Sequence, residues 1–320
     1  MDHDAESRSL YAATYLGLPT ATLPEGGEQG ARLPAAGEAV WVLRGGGGYA
    51  DPDPTFADHF ARFLDTVDPA EVRAIIVESW EEPYSISADV PVGLLAENAG
   101  RLPALRSIFL GDMESEVCEI SWIKQADVTP LLEAYPKLER LEVRGSDGLA
   151  LRPVRHEALK MLRFESGGLP GAVVRALGEC DLPALEHLEL WLGEESYGWD
   201  GTLADLEGIL SGARLPALRH LGLQDSEIQD EIAAAVAAAP IVARLESLSL
   251  SMGVLGDEGA EALLSGQPLT HLRSLDLSHH YMSDDMMKRL RAALPGVELD
   301  LSEQEAPDDE DGWRYIAVGE

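Results

Sequence analysis

Residues 276–285, DLSHHYMSDD, gather Asp276, His279, His280, Asp284 and Asp285, side-chain types that hold a divalent metal. Adjacent histidines rarely reach one ion together, and Ser283-Asp284-Asp285 reads better as a helix start with favourable N-terminal acids. A second stretch, RGGGGYADPDP at 44–54, sits where a phosphate loop would, between a strand and a helix. It lacks the Lys and Ser/Thr that follow the glycines of such a loop, and Asp51 and Asp53 would repel an anion, so it reads as a turn. Cys118 and Cys180 form no CxxC pair and read as small buried hydrophobes. No G-x-S-x-G elbow or H-E-x-x-H helix is present. The sequence therefore assigns no catalytic residue, metal ligand or cofactor, and an enzyme using rim carboxylates with a metal stands only as the alternative.

Side chains suited to gripping a partner are easier to find. Arg140, Arg144 and Arg163 form a local basic cluster in an acidic chain, grouped with His187, Glu189, Trp191 and His220. Arginine and tryptophan bury large area or make forked hydrogen bonds, which makes them frequent interface anchors. The competing expectation is that these arginines pair with Glu142, Glu165 and Glu189 across neighbouring strands. Three segments are both acidic and aromatic: ESWEEPYS at 78–85, GDMESEVCEISW at 111–122 and LWLGEESYGWD at 190–200. If their strands stack in register they emerge on one edge, giving a rim of Trp80, Tyr84, Trp122, Trp191, Tyr197 and Trp199 that either meets a partner or folds back over gaps left by insertions.

Elements that would position these residues follow from a recurring LxxLxL phrase. Its central apolar residue is Ile75, Ile108, Leu141, Leu162, Leu188, Leu221, Leu248, Leu275 and Leu299, at spacings of 33, 33, 21, 26, 33, 27, 27 and 24. A short strand with alternate apolar residues buries one face only if a neighbouring strand and a return segment cover it, so repetition near this period implies a stack of about nine units. In LPALEHLELW, residues 182–191, Leu185, Leu188 and Leu190 point inward while His187, Glu189 and Trp191 point out. Return segments read as helices: SEIQDEIAAAVAAAP has Ser226 and Gln229 in capping-box register, and GDEGAEALLSGQP and SDDMMKRLRAALPG repeat the plan. Prolines 103, 136, 183 and 216 each fall five residues before a strand centre. The fold class is α/β: a curved, right-handed leucine-rich-repeat solenoid over 71–301, with parallel strands inside and helices outside.

Residues 245–278, LESLSLSMGVLGDEGAEALLSGQPLTHLRSLDLS, resemble consecutive ribonuclease-inhibitor-type leucine-rich repeats. The likeness covers about residues 71–301, and the units around Leu141 and Leu162 depart from that pattern. The whole chain also resembles a group of bacterial leucine-rich-repeat proteins whose genes accompany ATP-grasp and radical-SAM proteins. That resemblance implies a helper in a modification or biosynthetic system.

Ahead of the array, AVWVLRGGGG reads as a strand and turn, and TFADHFARFLDTV as a helix burying Phe56, Phe60, Phe63, Leu64 and Val67. Residues 1–70 are expected to form an α/β cap on the open solenoid end, with the first 35 loosely ordered. Residues 302–320 form an acidic tail whose WRYIAV either docks as a closing strand or stays free; a further alternative is that the tail is itself the substrate of a modifying enzyme. The net charge of −33 is spread along the chain, with −7 in residues 1–70, −6 in the tail and −20 between. Such a field repels phosphate backbones and anionic membranes. With no apolar run of membrane-spanning length and a polar first segment, a cytoplasmic scaffold for a basic protein or peptide is expected.

Overall fold

A computed structural model describes residues 14–24, 33–46, 54–308 and 312–320. The N-terminal part comprises β1 (Thr14–Tyr15), β2 (Leu18–Ala21), β3 (Val40–Arg44) and α1 (Phe56–Thr66). Strand β4 (Ala74–Ser79), α2 (Asp89–Glu97), β5 (Ser107–Leu110), α3 (Thr129–Ala134), β6 (Arg140–Arg144) and β7 (Met161–Glu165) follow. Next come α4 (Gly171–Glu179), β8 (His187–Gly193), α5 (Leu203–Ser211), β9 (His220–Ser226) and α6 (Gln229–Ala237). The last units are β10 (Ser247–Ser249), α7 (Asp257–Ser265), β11 (Ser274–Asp276), α8 (Asp284–Ala293) and β12 (Glu298–Asp300).

All twelve strands form one sheet in chain order, parallel from β2 to β12, with β1 antiparallel to β2. Sequential parallel strands with helical returns on one side make a leucine-rich-repeat solenoid. The nine leucine-type centres aligned from the sequence are direct register partners from Ile75 through Leu299. Trp41 pairs with Ile75 as a further member of that row. These side chains point toward the helices, where a continuous apolar core runs from Leu23 to Leu301.

Parallel pairing thus continues through residue 71 into β3 and β2. Helix α1 closes this end as its periodicity required: Phe56, Phe60, Phe63 and Leu64 are buried, and the Trp41 and Phe63 rings sit 5.6 Å apart. Thr55 and Asp58 cap it reciprocally. The glycine-rich stretch 47–53, and with it the phosphate-loop reading, lies outside the described residues, as does much of the stretch expected to be loosely ordered.

Two details differ from the sequence reading. Ser226 does not cap α6; it ends β9, Ile228 occupies the cap position without a side-chain bond, and Gln229 Nε2 donates to Leu223 O at 2.9 Å. Between β6 and β7 no helix forms, and the 21-residue unit returns through single bridges, Lys124 to Asp147 and Asp127 to Ala150. In contrast, Ser283 caps α8 by accepting from Met286 N at 3.2 Å, as DLSHHYMSDD suggested, and His280 is buried with its Nδ1 accepting from Met282 N at 3.1 Å.

Residues 312–320 dock rather than hang free, as an extended segment running back across the strand-exit loops. Tyr315 N donates to Tyr281 Oη at 2.8 Å, Ala317 N to Met252 O at 2.8 Å and Val318 N to Asp225 Oδ1 at 2.9 Å. Tyr197 Oη donates to Glu320 Oε1 at 2.9 Å. Asp225, Met252 and His279 share a corner conformation with φ of 56°, 69° and 52°, one per unit, where glycines 111, 145 and 193 serve the earlier units.

Candidate functional site

On the face of the sheet away from the helices, register places side chains in lateral rows. One row is Ser107, Arg140, Met161, His187, His220 and Ser247; the next is Phe109, Glu142, Arg163, Glu189, Gly222 and Ser249. At the N-terminal end this face is apolar and covered, because Tyr15 packs with Val40, Val42, Ala74, Ile76 and Phe109. The Tyr15 hydroxyl is the point where the apolar part meets a charged one, donating to Glu142 Oε1 and lying 3.3 Å from Ser107 Oγ.

From Glu142 a buried ionic network crosses four strands. Arg140 makes a forked contact to Glu142, Nε to Oε1 at 2.6 Å and Nη2 to Oε2 at 3.0 Å. Arg163 is enclosed by three carboxylates: its Nη1 donates to Glu142 Oε2 at 3.3 Å and Glu165 Oε1 at 3.4 Å, and its Nε donates to Glu189 Oε2. Arg144 Nη1 reaches Glu165 Oε2 at 2.9 Å. Three guanidinium groups therefore balance three carboxylates in a region where unpaired charge would be costly.

The carboxyls do not share one environment. Burial pushes the Glu142 group up, but Arg140 and Arg163 outweigh burial and hold it below its ordinary range. Glu165 goes the other way, because burial outweighs Arg163 and Arg144. Nearby Asp112 is pushed up to about 7, first by burial and then by the negative charge of Glu165. Burial also opposes ionisation of Glu189, yet contacts with His187, His220 and Arg163 hold it well below the usual carboxylate range.

Beyond Glu189 the network ends in two histidines. The His187 and His220 rings stack with centroids 4.0 Å apart, and their Nε2 atoms lie 2.9 and 3.3 Å from Glu189 Oε1. His220 Nδ1 is 2.7 Å from Ser247 Oγ. Gly222, the register partner of Glu189, makes room for this arrangement: a Cβ there would lie 3.0 Å from Glu189 Cγ.

The family model described as Leucine Rich repeat matches residues 245–264 and 269–285. A protein of Bacteroides fragilis known from its crystal structure is 31% identical to this chain, with TM-score 0.74 over 82% of this chain and 72% of that one. The chain belongs to that family of bacterial leucine-rich-repeat proteins. An internalin of Listeria monocytogenes is a distant likeness, 11% identical with TM-score 0.32 over 75% of this chain and 77% of its own, and informs nothing further. None of the curated proteins compared with the sequence matches it. No helix among the described residues is long and apolar enough to cross a membrane.

In this leucine-rich-repeat protein the residues singled out from the sequence separate into three groups. Arg140, Arg144, Arg163, His187, Glu189 and His220 do come together on one face, but Arg163 and Glu189 are buried in ion pairs. Of the two expectations for these arginines, cross-strand pairing with Glu142 and Glu189 describes Arg163, because register sets opposite charges side by side, while Arg140 and Arg144 stay half-exposed. The aromatic rim also divides. Trp80 is 1% exposed with Nε1 donating to Ile86 O at 2.7 Å, and Trp199 is buried with its ring over Gly201, so these two fold back. Trp122 is 59% and Tyr84 38% exposed, whereas Trp191 and Tyr197 are half-buried. Sequence reasoning missed Tyr15 and Asp112, which only the folded sheet face brings to the network, and it passed over the convergence of His187, Glu189 and His220 on one point. That last signal was present as H-x-E in one strand and a histidine at the same register position one unit later.

Proposed function

We propose that this protein is a binding scaffold for a basic protein segment, anchored on the rim formed by the loops after β4 and β5. The observation that carries this reading is Trp122, which stands 59% exposed; Val117 in the same loop, Tyr84 and Ile86 in the loop after β4, and Val90 at the start of α2 are exposed as well. The two loops are joined, since Lys124 N donates to Pro83 O at 2.8 Å and Ala88 N to Lys124 O at 3.0 Å. Glu82, Asp89 and Glu116 are exposed in the same segments, so a partner offering lysine or arginine around an apolar anchor is complementary. Half-exposed Trp191 with Arg140, Arg144, His187 and His220 extends the contact along the open sheet face. In its finer form the partner is an enzyme of a cytoplasmic modification system, of the ATP-grasp or radical-SAM kind that the resemblance implies.

Immobilised protein should retain a basic partner from a bacterial extract, and Trp122→Asp with Tyr84→Asp should abolish retention. Exposed Trp313, 64% accessible but far along the chain, supplies the control, because Trp313→Asp should leave capture unchanged. Equal capture by all three proteins removes the rim from the proposal.

A further inference from the structure

Among the described residues, His187, Glu189 and His220 are the one group of histidine, cysteine and carboxylate side chains whose ligand atoms all lie within 4.8 Å of one another. We infer that they form a site for a divalent transition metal of the zinc class, bound through His187 Nε2, His220 Nε2 and Glu189 Oε1. Two imidazoles and one carboxylate select zinc, cobalt or iron over calcium and magnesium, which prefer all-oxygen cages.

The polar atoms at this point are unfinished in a way a metal would complete. Both Nε2 atoms are buried and neither meets the geometry of a hydrogen bond, although each lies close to Glu189 Oε1. Two ring nitrogens are directed at one carboxylate oxygen, so a cation at that point would be held by all three groups at once, and it would partner buried polar atoms whose lack of a partner costs stability. Ser247 Oγ, 2.7 Å from His220 Nδ1, is placed as the outer partner that fixes a metal-binding ring and leaves Nε2 as the ligand. Arg163 holds Glu189 by Oε2, which directs Oε1 to the histidines.

The backbone is shaped for the same purpose. Histidine 187 and His220 are lateral register partners on parallel strands, and Glu189 is two residues along the same strand face. Glycine 222 is the position at which any larger residue would press on Glu189, with a Cβ 3.0 Å from its Cγ. With three protein ligands, and with both histidines partly exposed on the open face, coordination positions remain for water or for a side chain brought by a partner. The site is independent of the rim reading, so either can fail alone.

Untagged full-length protein, stripped with chelator and titrated with Co²⁺ and with Zn²⁺ near pH 7.5, tests the site. One equivalent of Co²⁺ should bind with visible d–d absorption of a low-symmetry complex, and Zn²⁺ should displace it and raise the melting temperature. His187→Ala and His220→Ala should each weaken Co²⁺ binding by about tenfold or more. His279→Ala, which removes a histidine elsewhere, should not. Circular dichroism of each variant separates loss of binding from loss of fold, and the titration of the unaltered protein does not depend on any variant folding. Absence of one-equivalent binding by the unaltered protein, or its persistence in both folded histidine variants, overturns the site.

Discussion

Arg163 is the side chain on which the polar face most depends. It contacts Glu142, Glu165 and Glu189 at once; Arg140 and Arg144 still pair with the first two, so its removal leaves Glu189 buried without its guanidinium. Arg163→Met should destabilise the protein by about 3–5 kcal/mol, the usual cost of breaking a buried pair from one side. Urea unfolding at neutral pH measures this, and a loss below about 1 kcal/mol would mean the network contributes as little as exposed pairs do. Asp225 gives a prediction of the other sign. Burial pushes its carboxyl up to about 8 despite the Val318 N–H that pulls it down, and its Oδ2 has no hydrogen-bond partner. The folded chain therefore holds this proton more tightly than the unfolded chain, whose ordinary value is 3.8, and the Asp225 contribution to stability falls as pH rises from about 4 to about 8. Asp225→Asn should flatten that slope and stabilise the protein at pH 8 by about 1–3 kcal/mol, read from denaturation midpoints at pH 5 and pH 8. The arginines and glutamates were visible in the sequence as alternating charges on strands. Which of them faced solvent was not, because that depends on the lateral register of strands 21 and 26 residues apart.

At the scale of elements, the strand array was the most legible part. The nine aligned apolar centres proved to be one register row, since a buried leucine at a fixed place in each unit is what lets successive units stack. Trp41 escaped that alignment because AVWVLR carries the strand pattern without the LxxLxL phrase. The α6 boundary was misread because β9 runs seven residues, to Ser226, where β10 and β11 run three. Sequence patterns also could not tell that Trp80 and Trp199 fold inward while Trp122 stands out, since all three follow strands and sit among acids. The strand-exit corner supplies a test of how tightly the units are spaced. Gly193 has φ of 77°, and a Cβ there would lie 1.8 Å from Gly167 O. Gly193→Ala combines a left-handed backbone cost of roughly 1–2 kcal/mol with a backbone collision that only separation of β7 from β8 relieves. The expected result is a loss of stability greater than that backbone cost, with increased amide exchange concentrated in those two strands; a neutral outcome would contradict the close approach.

For the whole molecule, the charge of −33 acts at distances beyond any single contact. If the partner is basic, the field raises its association rate, and that rate should fall as salt shortens the screening length from about 10 Å at 0.1 M. Stopped-flow association at several salt concentrations would show it, with the dissociation rate changing less. The same field disfavours nucleic acid and anionic lipid as partners. Stacked repeats ordinarily fray from an end one unit at a time, because each contacts only its neighbours. Residues 312–320 cancel that freedom here, bonding in turn through Tyr315, Ala317, Val318 and Glu320 to the exit ends of β11, β10, β9 and β8 like a stitch drawn through four pages. Unzipping of the C-terminal units then becomes a concerted event whose onset is the detachment of a nine-residue thread.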